Sequence, residues 1–177
     1  FLLNQLLILQ PDFGFQIALA HVNYNVHSKA SEAEKLCRLS AKTSQIPVHV
    51  KSAQYDASDS SFEAWARDVR YDFFRTLTEQ HKYHWILTAH HFEDQLETLV
   101  MRDIQGGDWL TMLGIRESYG KIKRLMLEVR KNEIRKYIDK YQIQFIADPT
   151  NHDNSYMRNR IRNEILPEIL RNDRDGI

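Results

Sequence analysis

Cysteine is almost absent. Cys37 is the only one among 177 residues, so no internal disulfide can form, and a reducing compartment such as the cytoplasm suits the chain. Its expected role is packing on a helix. Long hydrophobic runs are absent as well, and no stretch reaches the roughly 20 apolar residues that span a bilayer. Phe1 to Gln10 is apolar but has no basic flank and no cleavage pattern, which argues against a signal peptide. There is no repeat array, low-complexity linker, cysteine pair or His-Glu-x-x-His, so repeat architectures and the commonest zinc sites are excluded. Net charge is absent too, with 24 Lys/Arg against 24 Asp/Glu.

What is present suits a packed core. Hydrophobic residues make up 42% and charged residues 27%, ordinary values for a soluble domain. The length fits one domain, or one and the beginning of another. The balanced charge is unevenly placed. From Lys121 to Glu164 eleven Lys/Arg face six Asp/Glu, which suits an anionic partner, or simply a solvated helix face.

Along the chain, Phe1–Leu9 reads as the back half of a helix and Gln10–Gly14 as a turn. Phe15–Val22 is nearly continuous apolar, as a buried parallel strand would be. Ser31 with Glu34, and Ser60 with Glu63, have capping-box spacing, and open helices to about Ser44 and Glu79. The second should turn Trp65, Val69, Phe73 and Leu77 inward. Val48–Ser52 and Trp85–Ala89 read as strands, Phe92–Ile104 as a helix, Trp109–Leu113 as a short turn and Ile122–Leu127 as an edge strand. Val129–Tyr141 is a basic amphipathic helix, and Phe145-Ile146 precedes an Asp148–Asn151 turn. A last helix from Arg158 is interrupted or ended by Pro167. The alternation predicts an α/β fold, a parallel sheet with helices on both faces.

The chemistry gathers at Ile86–Arg102. A buried strand there leads through His90 and His91 into a helix that carries Asp94 and Glu97 three apart, close enough for one ligand. In α/β sheets ligands collect beyond the carboxyl ends of the strands. This set could bind a metal, contact phosphate or move protons. Magnesium at Asp94 suits it better than zinc, since magnesium takes one or two carboxylates plus substrate phosphates; acids simply complementing the helix dipole are the plain alternative. His21 ends one strand in Ala-His as His90 ends another, so the two imidazoles would meet at one sheet edge. Glu63 and Arg67 form an i,i+4 pair, and Arg70 and Tyr71 follow on the same helix. Arg158, Arg160 and Arg162 can grip phosphate. On a helix, Arg158 and Arg162 share a face while Arg160 points elsewhere.

Five segments together carry a resemblance: Ala20-His21-Val22-Asn23; Glu63-Ala-Trp-Ala-Arg67-Asp-Val-Arg70-Tyr71; Thr88-Ala-His-His-Phe-Glu-Asp94-Gln-Leu-Glu97-Thr; Asp148-Pro-Thr-Asn151; and Arg158-Asn-Arg160-Ile-Arg162. In this order and spacing they resemble the tRNA(Ile)-lysidine synthetase family of N-type ATP pyrophosphatases, over about Ala18–Leu170. The resemblance implies a Rossmann-like, adenine nucleotide alpha hydrolase-like fold. It implies that ATP, with Mg²⁺, adenylates the wobble cytidine of a tRNA(Ile) bearing a CAU anticodon, and that L-lysine then displaces AMP. Carried over by motif, Ala20, His21, Val22 and His90 belong to the nucleotide site. Asp94 and Glu97 hold lysine, with Mg²⁺ near Asp94. Glu63, Arg67 and Arg70 line the same cleft, and Arg158, Arg160 and Arg162 face phosphate or tRNA. Asp94, Glu97, His90, Arg158 and Arg160 would be the catalytic set. A homodimer stays open as its assembly.

The sequence also departs from the family. Its Ser-Gly-Gly-x-Asp-Ser loop is absent and is expected just before Phe1, together with the first strand, so residues 1–177 read as a catalytic domain truncated at its start. Residues 155–177 read as the start of a helical connection to a further tRNA-binding region. Tyr24 and His27 replace the usual His and Arg, Glu93 the first Asp of the acidic pair, and Leu125 a Pro. Three rivals remain: another tRNA-modifying enzyme of the same class, such as a thiolating one, which a lone Cys37 disfavours; a metal-dependent hydrolase at His90, His91 and Asp94; and a non-catalytic tRNA-binding remnant.

Overall fold

The computed structural model describes residues 1–26, 28–56, 61–108, 111–147, 153–154 and 156–172. The chain divides into two compact units, one of Phe1–Ile86 with Gln142–Ile146, the other of Leu87–Tyr141 with Ala147–Ile177.

The first unit opens with α1, Leu2–Phe13. The helix runs through Pro11, where a turn was expected. It ends only at Gly14, whose left-handed backbone (φ 66°) lets its N–H donate to the Gln10 carbonyl. Strand β1 is Leu19–Asn23, shorter than the apolar run that suggested it, and pairs in parallel with β2, Val48–Ser52. Between them lies α2, Ala30–Thr43. The expected Ser31–Glu34 capping box does not form, because Glu34 is engaged by Asn23 and Arg38, at 2.9 and 2.8 Å. Helix α3, Phe62–Gln80, starts at Ser61, whose hydroxyl accepts from the Ala64 N–H at 3.4 Å, so the cap is one residue later than expected. Ser60 lies outside the described residues. The inward face of α3 is as expected: Leu77 is buried, which stabilises by about 1.5–3 kcal/mol, and Trp65, Val69 and Phe73 are half-buried one turn apart.

The second unit takes over from the short strand β3, Ile86–Leu87, in a three-stranded sheet ordered β3-β5-β4. The strand expected at an edge over Ile122–Leu127 is shorter and central instead: β5, Ile122–Lys123, lies between β3 and β4 and pairs antiparallel with β4, Ser118–Tyr119. Gly120 turns that hairpin at φ 56°. Helix α4, Phe92–Ile104, falls where the periodicity puts it, and a single 3₁₀ turn covers Thr111–Leu113. Helix α5 is Lys131–Lys140. Pro167 does not end the last helix. Met157–Arg160 (α6) passes through a π-helical turn, Ile161–Ile165, into α7, Leu166–Asn172. In that turn the Leu166 N–H reaches back five residues to the Ile161 carbonyl, so the widened ladder absorbs the N–H that Pro167 lacks. Ile161 and Leu166 are buried beside it.

Candidate functional site

The second unit builds its site where α4 begins. Thr88 is tied into the sheet by its N–H to the Lys123 carbonyl at 3.1 Å, and its hydroxyl lies 2.9 Å from His90 Nδ1, which fixes the ring's orientation. His91 caps α4, and the Phe92 N–H donates to the Val129 carbonyl, so the 123–129 segment holds the turn from outside. Asp94 sits three residues on. Its Oδ2 accepts from the His91 N–H at 2.9 Å, satisfying one of the donors a helix start leaves open.

One turn further, Glu97 is 1% exposed, and an isolated carboxylate there would be costly. Two arginines from α6 and the π-turn resolve this. Arg158 Nε donates to Glu97 Oε2 at 2.7 Å, and Arg162 donates through Nε to Oε1 at 2.6 Å and through Nη2 to Oε2 at 2.9 Å. The second is the bidentate fork that a guanidinium makes with a carboxylate. Arg158 Nη2 also reaches Asp94 Oδ1 at 3.1 Å, and Arg162 Nη2 approaches it at 3.8 Å. The hydrogen bonds to Glu97 hold the Arg162 pKa above its ordinary value, against the opposing pull of desolvation.

The structure thus joins two segments 61 to 65 residues apart. Arg158 and Arg162 share a face, as the helical spacing suggested. Arg160 points elsewhere, 62% exposed and 4.0 Å from Glu164. Magnesium at Asp94 does not fit these residues: both carboxylate oxygens already accept hydrogen bonds, and among the described residues no group of three or more His, Cys, Asp or Glu gathers to share a metal with it. Sequence reasoning overlooked what surrounds the set. Glu93 Oε2 accepts from the Lys131 N–H at 2.8 Å and lies 3.0 Å from His91 Nδ1, while the Arg130 guanidinium covers the Phe92 ring at 4.7 Å. Glu93, longer than the Asp that the resemblance leads one to expect, was the available signal, since its extra methylene carries the carboxylate toward α5.

The remaining candidates lie in the first unit. In β1, His21 and Asn23 share the face that α2 covers, where Asn23 Nδ2 donates to Glu34 at 2.9 Å. His21 Nε2 is buried with no hydrogen-bond partner, and desolvation lowers the ring's pKa; Glu34 opposes this and Arg38 adds to it. Ala20 and Val22 alternate onto the other face. Tyr24 donates its hydroxyl to the Ala66 carbonyl at 2.9 Å and packs edge-on against Phe62 and Trp65, anchoring the end of β1 to α3. Burial raises its pKa, and Arg70 opposes that. Arg67 stacks on Tyr71 at 4.7 Å instead of pairing with Glu63, and Arg70 lies 5.8 Å from the same ring. His27 and Asp148–Asn151 lie outside the described residues.

Comparison with known proteins agrees with this layout. The sequence profile of the PP-loop domain matches residues 1–169. The chain is 34% identical to a tRNA(Ile)-lysidine synthase of Staphylococcus aureus (strain MW2) over 97% of its own length and 41% of that protein's. It is 33% identical to the one from Streptococcus equi subsp. zooepidemicus (strain H70), over 96% and 38%. The chain thus spans about two-fifths of the length of these relatives. Among solved structures it resembles the U34-tRNA thiolase NcsA from Methanococcus maripaludis with its 4Fe-4S cluster, at a TM-score of 0.64. That likeness covers 76% of this chain and 49% of the thiolase, and at 10% identity it speaks for the fold alone. With a parallel pair joined through a helix, this is the α/β, Rossmann-like fold expected of adenine nucleotide alpha hydrolases. The chain belongs to the PP-loop domain family.

Proposed function

We propose that the protein is an ATP-dependent tRNA-modifying enzyme of the cytoplasm that forms lysidine. The cytidine O2 attacks the α-phosphate of ATP and pyrophosphate leaves. A lysine amine then attacks C2, and the C2–O2 bond breaks to release AMP. The observation that carries this reading is the convergence of two family segments, Thr88–Thr98 and Arg158–Arg162, on one four-residue charge cluster. Similarity to lysidine synthases across 97% of the chain supports it.

In this reading Asp94 and Glu97 receive lysine unequally. Asp94 is the reachable one, its side chain 14% exposed, and its 3.1 Å contact with Arg158 is longer than the 2.6–2.9 Å contacts that the arginines make with Glu97. An incoming ammonium exchanges with that guanidinium nitrogen, and the released Arg158 turns toward the phosphate of the adenylated base. Glu97 stays paired behind it and sets both arginines. Preorganised donors of this kind stabilise charge as it develops. His90 faces the phosphates, Ala20, His21 and Val22 contribute to the nucleotide site, and Glu63, Arg67, Arg70 and the outward Arg160 serve tRNA. Magnesium would come with the ATP phosphates, outside the Asp94 cluster.

The test is the lysine dependence of AMP release by the intact protein. Asp94→Asn should raise the KM for lysine by about tenfold, the ~1.4 kcal/mol of one charged contact, and leave the KM for ATP in place. Equal effects on both substrates, or none on lysine, would remove Asp94 from the lysine site.

A further inference from the structure

The second unit carries a strip of cations and rings that the roles above leave unused. Lys136, Tyr137, Lys140 and Tyr141 fall at i, i+1, i+4 and i+5 along α5 and its end, so they lie side by side over its last turns. The Tyr137 and Tyr141 rings pack at 4.4 Å between centroids, Tyr141 is 54% exposed, and the Lys140 ammonium lies 5.1 Å from its ring. Lys136 is exposed as well. Glu133, which would put a negative charge at the near end, is turned back to cap the helix, where it accepts from the Arg130 N–H at 2.8 Å. Complementing the helix dipole accounts for Lys140 alone. It leaves unexplained both Lys136, one turn earlier, and a large ring held open to solvent beside it.

We propose that this strip binds an unpaired nucleotide of the RNA substrate, with the base stacked on Tyr141 and the flanking phosphates on Lys136 and Lys140. The inference rests on the RNA-modifying reading above and extends its contact surface to α5. Stacking on an aromatic ring and pairing with phosphate are the two interactions that single-stranded RNA offers whatever its sequence. Tyr141 is already braced from one side by Tyr137, so little side-chain freedom is lost when a base lands on it. Lys140 trades its contact with the exposed ring for a phosphate of the same nucleotide. The local surplus of Lys/Arg over Lys121–Glu164 adds the long-range attraction.

Binding of the intact protein to unmodified tRNA, followed by fluorescence anisotropy over a range of KCl, tests this. Each phosphate contact on a single strand contributes about 0.7 to the slope of log K against log salt, so Lys136→Ala with Lys140→Ala should flatten it by about 1.4. Tyr141→Ala should weaken binding about 5- to 150-fold at every salt concentration, and Tyr141→Trp should restore it. The control, Lys35→Ala with Lys42→Ala, removes the same charge from exposed positions of α2 and should change the slope far less. Equal slopes for the two double variants, or full binding by Tyr141→Ala, overturn the proposal while leaving the RNA-modifying reading intact. A wild-type protein that does not bind tRNA overturns both.

Discussion

Removing the Glu97 charge tests the cluster's energetics most sharply. Glu97→Gln keeps the shape but replaces one oxygen that accepts from guanidinium by an amide that donates. Three charge-assisted hydrogen bonds converge on this carboxylate, at 2.6, 2.7 and 2.9 Å. Breaking a buried pair from one side costs about 3–5 kcal/mol. Here the stranded partners, Arg158 and Arg162, are 35% and 24% exposed and can turn to water, so we expect about 2–3 kcal/mol. For a chain of this size that lowers Tm by about 5–10 °C. A double-mutant cycle in urea then apportions it. The Glu97–Arg162 coupling, with two hydrogen bonds, should exceed the Glu97–Arg158 coupling, with one, by about 1 kcal/mol. Couplings below about 0.5 kcal/mol, or in the reverse order, would show that the fork does not hold the π-helical turn to α4.

Other perturbations probe neighbouring parts. Gly114 stands at φ 66°, and a Cβ there would run into the Gln95 side chain, so Gly114→Ala should destabilise by about 1–3 kcal/mol in urea melts; a neutral result would mean that Gln95 moves aside freely. Burial lowers the pKa of both His21 and His49, in the latter case aided by repulsion from His81. The unfolded chain therefore binds more protons, stability is full above the unfolded pKa near 6.5, and it falls as pH drops through that value toward the lowered folded pKa. Tm measured from pH 8 to pH 5 should decline, and His21→Asn with His49→Gln should flatten the decline; an unchanged profile would assign the proton uptake elsewhere. Glu93→Asp withdraws the carboxylate from the Lys131 N–H, and hydrogen exchange at the start of α5 should speed up about five- to tenfold, about 1 kcal/mol of lost protection.

Much of the fold was legible because hydrophobic period and polar punctuation agree. Helix α4 and the inward face of α3 followed from spacing alone. Errors arose where a local signal met a stronger tertiary partner. Ser31 and Glu34 have capping spacing, but Asn23 and Arg38 claim the carboxylate. Pro11 and Pro167 read as breaks, yet both sit within continuing helix, one near a glycine-capped end and one after a π-turn. Short strands with half-exposed residues, such as Ile86–Leu87 and Ile122–Lys123, leave little period to read. At the site, residue types marked Asp94, Glu97, Arg158 and Arg162 as functional, and helical spacing sorted Arg160 from its neighbours. Their mutual pairing was invisible, since a contact across 61 residues has no local trace.

In the function proposed, ATP cleavage is coupled to joining lysine to tRNA. The direct measurement incubates the intact protein with ATP labelled at the α-phosphate, L-lysine and unmodified tRNA(Ile) bearing a CAU anticodon, then digests the tRNA and weighs its nucleosides. We predict that AMP release requires tRNA and lysine together, and that one cytidine gains the mass of lysine less one water. AMP release with no change in nucleoside mass, or equal release without tRNA, would contradict it.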